Sequence, residues 1–136
     1  METYTFYNDI QVFGIEVVTF PSGISEAFDE MIKMTGDCAG ARDYYGISFF
    51  KDGNMIYYAT AAEKFACEAE KYNYETLEIA KGNYAATTVF DWRKKTDYIK
   101  DVFSEIIQDP RVDKTKPAIE WYKDDNEMMC LVKIKE

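Results

Sequence analysis

One acidic side chain sits where binding chemistry is expected. In "AIEWYKDDN" (118–126), Glu120 lies between Ile119 and Trp121, and Tyr122 follows two places on. The alternation reads as a β-strand, which sends Glu120 and Tyr122 to one face and Ile119 and Trp121 to the other. A carboxylate beside aromatic rings can attract a cation. The same pattern also describes a strand with one wet face, where polar alternation is ordinary. The pattern alone leaves both readings open.

An internal repeat gives Glu120 a context. "GISFFKDGNMIYY" (46–58) aligns without gaps on "AIEWYKDDNEMMC" (118–130). Ile47 matches Ile119, Phe49 matches Trp121 and Phe50 matches Tyr122, while Ser48 falls on Glu120. Each segment reads as strand, tight polar turn, strand. One half thus offers a small residue where the other offers a carboxylate.

A helix is expected before each hairpin. Ile24, Ala27, Phe28 and Met31 recur at helical spacing in the first half, with Ser22 as candidate N-cap and Gly36 as stop. Ile99, Val102, Phe103 and Ile106 repeat the spacing in the second, with Pro110 ending it. Both stripes read as core. The strands "QVFGIEVVTF" and "GNYAATTVFDW" lead into these helices, the second after a turn at Lys81-Gly82. The organisation is β-α-β-β twice within one domain, 1–136, with repeat one at about 10–62 and repeat two at about 76–135. In the connector, "AEKFACEAEKY" reads as a short helix or an irregular crossing, and "LEIA" as a short strand.

The expected fold class is α+β. Duplicated βαββ units form one antiparallel sheet, with two helices on one face and a ligand groove on the other, at a pseudo-two-fold axis. Met128, Cys130, Val132 and Ile134 form the more apolar side of the last strand, so they are assigned to the helices together with Ile119 and Trp121. Ala118, Glu120 and Tyr122 are then left on the open face, and the repeat adds Gly46, Ser48, Phe50, Met55, Tyr57 and Ala59. A carboxylate flanked by Tyr57 and Tyr122 suits an aromatic, cationic ligand. At about 4 Å and an effective dielectric of about 20 the bare attraction is about 4 kcal/mol. Each aromatic face adds about 0.5–2 kcal/mol, and losses on association leave roughly micromolar affinity.

Composition narrows the function classes. The net charge is −9 and the sequence pI about 4.6, a balance that disfavours gripping phosphate backbones and favours cations. With no histidine, a Ser-His-Asp or Cys-His nucleophile in its usual form is excluded. Cys38, Cys67 and Cys130 lie far apart, which indicates neither a disulfide framework nor a thiol-redox motif. No metal site and no cofactor are expected. The opening "METYTFYNDIQ" lacks a signal-peptide pattern, and no apolar run is long enough to span a membrane. A soluble, cytoplasmic protein without direct nucleic-acid or membrane contact is the expectation.

Several stretches together resemble a known family. "FPSGISEAFDEM", "YYGISFF", "IAKGNYAATTVF" and "AIEWYKDD" resemble, in order and spacing, the GyrI-like domain, also called the effector-binding domain of bacterial transcription activators. The resemblance runs from about Val12 to Ile134. Ala118-Ile119 stands where Phe is common before the Glu, and Ala80-Lys81-Gly82 where Pro-Ala-Gly is common. The resemblance implies that Glu120 lies at the centre of a pocket for cationic, lipophilic compounds. It further implies a lining of Tyr122 and Tyr57, joined by Phe90 and Trp92. Taken with the face sorting, the candidate ligand-binding set is Glu120, Tyr122, Tyr57, Phe50, Ser48, Phe90 and Trp92. The leading expectation is a stand-alone binder of lipophilic small molecules. The family also implies two alternatives. One is a hydrolase of strained-ring genotoxic compounds, with Glu120 as catalytic group and a tyrosine hydroxyl as proton partner. The other is a gyrase-inhibitor-like interaction module, with gyrase or a regulator as protein partner.

Overall fold

Short runs of alternating apolar residues, separated by polar turns, cannot bury themselves alone; they must pair into a sheet and be covered. The computed structural model of the chain describes residues 1–20, 22–36, 42–124 and 126–135. Cys38, and Pro21 of the first-helix motif, lie outside the described residues. The elements are β1 (Glu2–Phe6), β2 (Ile10–Glu16), α1 (Ile24–Thr35), β3 (Tyr44–Lys51), β4 (Asn54–Ala62), α2 (Glu68–Tyr72), β5 (Glu75–Ile79), β6 (Gly82–Phe90), α3 (Thr96–Ile106), β7 (Ala118–Tyr122) and β8 (Glu127–Lys133). A single 3-10 turn, Trp92–Lys94, leads into α3.

All eight strands form one antiparallel sheet in the order β1-β6-β8-β7-β3-β4-β2-β5. Exchanging β1 with β5, β2 with β6, β3 with β7 and β4 with β8 reverses this order and leaves it otherwise unchanged. The pseudo-two-fold axis therefore passes between β3 and β7, where Ile47 pairs with Ile119. The α+β class, the single antiparallel sheet and the duplicated βαββ organisation match the sequence expectation. The connector supplies both the short helix α2 and the strand β5. One strand was not anticipated: β1, "ETYTF", pairs with β6 of the second repeat, as β5 pairs with β2 of the first. Each half thus lends its edge strand to the other.

Local chemistry sets the ends of the elements. Asp52 and Gly53 both have positive φ (53° and 81°), the backbone a two-residue hairpin needs between β3 and β4. Helix α1 begins one residue later than expected, with Gly23 at the N-cap position. Ser22 is engaged in the preceding turn, its carbonyl accepting from Thr19 Oγ1 (2.7 Å). Gly36 closes the helix with its N–H on Ile32 O (3.0 Å). Helix α3 stops at Ile106, four residues ahead of Pro110, whose nitrogen cannot donate to the Ile106 carbonyl and whose ring would clash with it if the helix continued.

The core has two sides. One face buries Phe6, Tyr45, Ile47, Ile79, Ile119 and Leu131 in one cluster. Phe6 and Ile79 come from opposite edges of the sheet, so the sheet curls towards this face, into a half-barrel. The outer face carries the helices: α1 packs Ala27 and Met31 against Phe13, Tyr57 and Ala59, and α3 packs Ile99, Val102 and Ile106 against Met128, Cys130 and Val132. Among the described residues, no helix is long and apolar enough to cross a membrane.

Candidate functional site

Register decides which side chains share a face. Paired residues of antiparallel strands point to the same side. Glu120 pairs with Gly46 on one flank and with Cys130 on the other. Cys130 is buried under α3, so Glu120 lies on the helix face. Tyr122, opposite Met128, and Tyr57, opposite Ser48, are on that face as well. The sequence expectation grouped these side chains correctly but put them, and the groove, on the face away from the helices. The structure corrects this: it is Ile119 and Trp121 that face the interior of the curled sheet.

A turn causes the difference. Four residues separate Phe50 from its partner Met55, whereas five separate Tyr122, its repeat counterpart, from Met128. The extra residue is absorbed between β7 and β8, where Asp124 Oδ1 accepts the N–H groups of Asn126 and Glu127, both at 2.7 Å. A one-residue shift moves every side chain of the following strand to the other face. The ungapped alignment therefore holds through β7 and fails across β8.

Glu120 lies at the floor of a cavity of about 620 Å³ between the helices of the two repeats. Helix α1 contributes Ile24, Phe28 and Ile32, α3 contributes Ile99, and Tyr44, Trp92 and Tyr122 complete the aromatic wall. Two stripe residues expected to be pure core, Ile24 and Phe28, are thus partly exposed to this space. The aromatic rings brace one another. Phe28 meets Tyr122 edge-on at 5.4 Å, and Trp92 lies 4.9 Å from Tyr122. Trp92 is held in turn by its Nε1 donating to Asp124 O (2.9 Å).

The carboxylate has an asymmetric set of partners. Tyr57 and Tyr122 both donate to Glu120 Oε1, each at 2.7 Å. Among the described residues, Oε2 accepts no hydrogen bond and Glu120 has no cationic partner. Burial pushes the carboxyl pKa up, and the two tyrosine donors only partly offset this. Burial and the adjacent carboxylate push both tyrosine hydroxyls well above their ordinary value. Gly46 permits the arrangement. A Cβ there would overlap Tyr57 Oη and lie 2.6 Å from Glu120 Oε1. Phe20 backs Tyr57 in a parallel stack at 5.0 Å.

The other expected residues are placed as follows. Trp92 lines the cavity. Tyr57 is 2% exposed and reaches the site through its hydroxyl. Ser48 shares the face but is not in the cavity wall. Phe50 and Phe90 lie outside it, 73% and 56% exposed. Phe50 is beyond the end of the β3–β7 pairing, and Phe90 ends β6 opposite Glu127, on the face away from the helices. Sequence reasoning missed Tyr44, Phe28 and Arg42. Tyr44 pairs directly with Tyr122, a relation that only the β3–β7 register reveals. Among the described residues, no cluster of His, Cys, Asp and Glu is placed to hold a metal ion.

No family model matches the chain, and no curated protein matches its sequence. Solved structures do match in fold. An integron cassette protein from the mobile metagenome of Vibrio cholerae superposes with a TM-score of 0.74 at 11% identity, covering 98% of this chain and 95% of that one. SAV2435, solved bound to tetraphenylphosphonium, superposes at 0.69 with 16% identity, covering 98% and 93%. A putative bacterial transcription regulation protein from Staphylococcus aureus MU50 gives 0.62 at 16% identity, covering 97% of each chain. At such identities the likeness concerns fold: this chain has the curled-sheet α+β fold of these proteins, among which are a small-molecule binder and a protein described as a regulator.

Proposed function

We propose that this protein binds lipophilic, aromatic cations in the cavity between α1 and α3, with Glu120 as counter-charge. The observation that carries the reading is a carboxylate with no cationic partner among the described residues, at the floor of a cavity with aromatic rings in its wall. Leaving that charge buried alone is costly, and an incoming cation offsets the cost. Tyr57 and Tyr122 fix Oε1, so Oε2 is the oxygen presented to a ligand. Phe28, Tyr44, Trp92 and Tyr122 offer ring faces and edges to a flat or propeller-shaped hydrophobic cation. The fold shared with SAV2435, which was solved with such a cation, supports the reading, as does the GyrI-like resemblance of the sequence. In that family context the binder is an effector-type module that works by holding its compound.

The test is fluorescence titration with tetraphenylphosphonium. Glu120→Gln is expected to weaken binding by about tenfold or more, a modest fraction of the bare attraction at an intermediate dielectric. The variant should still unfold cooperatively. Equal affinity in variant and parent overturns the charge-pairing reading.

The hydrogen-bonded Tyr57–Glu120–Tyr122 cluster also favours a second reading. A carboxyl of raised pKa beside two phenols is equipped to move a proton during opening of a strained ring. Incubation with a cyclopropane-containing genotoxin and mass spectrometry decides it: ring-opened product lost on Glu120→Gln supports hydrolysis, and intact compound supports binding alone.

A further inference from the structure

The segment between β2 and α1 is tied to one residue of the site. Val17 N–H donates to Tyr57 O (2.8 Å), which carries the β2–β4 ladder one residue past its Glu16–Tyr58 pair. Phe20 N–H donates back to Val17 O (3.0 Å) and closes a turn. The turn lays the Phe20 ring on the Tyr57 ring, with centres 5.0 Å apart and planes at 10°. Thr19 Oγ1 donates to Ser22 O (2.7 Å), which fixes the turn on its way into α1. Tyr57 is thus held twice by one segment, through its carbonyl and through its ring.

Neither Phe20 nor Tyr57 is in the cavity wall, yet the Tyr57 hydroxyl donates to Glu120 Oε1 at 2.7 Å. A phenol keeps such a bond only while its ring stays in place. A tilt swings the hydroxyl through an arc, and the bond weakens steeply with angle and distance. Gly46 meets the hydroxyl end, where a Cβ would lie 2.6 Å from Tyr57 Cζ. Phe20 covers one face of the ring, and offset stacking adds a directional preference to plain packing. The second donor, Tyr122, is braced by other rings, Phe28 and Trp92. A change at Phe20 therefore bears on one of the two hydrogen bonds to the carboxylate.

We propose that Phe20 is a positioning residue of the site: by covering one face of the Tyr57 ring it keeps the Tyr57 hydroxyl on Glu120 Oε1. This deepens the cation-binding reading above and rests on it for its consequence in binding. Phe20 acts through Tyr57, without touching the ligand.

The test is the titration of the Glu120 carboxyl, followed by carbon-13 NMR and assigned with Glu120→Gln. It is run on the parent, on Phe20→Ala, on Tyr57→Phe and on the two combined. Other ionisable groups surround the carboxyl: Tyr122 and Cys130 beside it, and Asp29, Arg42, Arg93, Lys123 and Asp124 in the cavity wall. They are the same in every variant, so the comparison isolates Tyr57. Tyr57→Phe removes a donor to the ionised form, and the acid dissociation constant of Glu120 is expected to fall by about threefold or more. Phe20→Ala is expected to lower it in the same way by about threefold or more, but to stay within about twofold of Tyr57→Phe when the two are combined. The rise of tetraphenylphosphonium affinity with pH should move to higher pH in the same variants. A change of equal size with and without the Tyr57 hydroxyl overturns the inference, because Phe20 then fills space or excludes water without steering Tyr57. An unchanged or increased acid constant in Phe20→Ala overturns it as well. Should Phe20→Ala fail to fold, Phe20→Leu keeps most of the bulk without the flat ring and carries the same comparison. The titration needs no ligand. If the parent does not bind tetraphenylphosphonium, the cation-binding reading falls, while the titration still decides the role of Phe20.

Discussion

Glu120 is defined by what surrounds each of its oxygens. Oε1 takes two phenolic donors and Oε2 takes none among the described residues, which holds the carboxylate still and leaves one oxygen without a donor. The burial that raises its pKa also sets a pH dependence with a definite sign. A carboxyl whose folded pKa lies above its unfolded one binds its proton more tightly when folded. Its contribution to stability is then full below the ordinary Glu value of about 4.3 and is lost as pH rises through the raised folded value. Glu120→Gln is therefore expected to raise Tm relative to the parent, with a gap that widens as pH rises, as thermal denaturation across a pH series will show. A cation binds the ionised form, so below that pKa its affinity should rise with pH by at most about tenfold per unit. Titrating tetraphenylphosphonium at several pH values checks this, and a flat profile would contradict it. Gly46→Ala is the sharpest probe of the geometry. Its Cβ would overlap Tyr57 Oη, so one of the two hydrogen bonds to Oε1 must break. A loss of about 1–3 kcal/mol in chemical denaturation is expected, together with weaker cation binding.

At the scale of elements, the helices have two jobs that their sequence stripes do not separate. In α1, Ala27 and Met31 are core, while Ile24 and Phe28, one turn away on the same stripe, face the cavity. Met31 is fully buried against the outer face of the sheet, and Met31→Ala should cost about 2–5 kcal/mol in urea denaturation. Phe28→Ala should cost less stability, since the ring already borders open space, but weaken tetraphenylphosphonium by about threefold or more through the lost ring contact. If Phe28→Ala leaves the affinity unchanged, the wall assigned here is wrong. The turns were legible in type, since "KDGN" announces a tight hairpin and "KDDN" its counterpart. Their lengths were not: the extra residue before β8 is a matter of which carbonyls and N–H groups pair, and it reverses the faces of the last strand.

For the whole molecule, net charge and duplication matter most. The chain carries −9, which concentrates cations around it before any contact is made. The association rate of tetraphenylphosphonium should therefore fall as salt rises from about 20 to about 200 mM, with a smaller change in dissociation rate, as stopped-flow fluorescence can measure. The duplication places two equivalent positions about the axis between β3 and β7, Ser48 and Glu120, and only one carries charge. Each half also lends its edge strand to the other, so the cavity between α1 and α3 exists only when both halves are assembled.

The α+β class, the doubled βαββ order, the helical stripes and the grouping of Glu120 with Tyr57 and Tyr122 are legible in the order of residues. Those features follow from local periodicity and from a repeat, which the order of residues records directly. Other features emerge only on folding: that the group faces the helices, that Tyr44 and Phe28 wall the cavity while Phe50 and Phe90 do not, and that Arg42 pairs with Glu68. Each of these depends on pairing between residues distant in the chain. A one-residue change in register, or a salt bridge across 26 positions, leaves no periodic trace in the sequence.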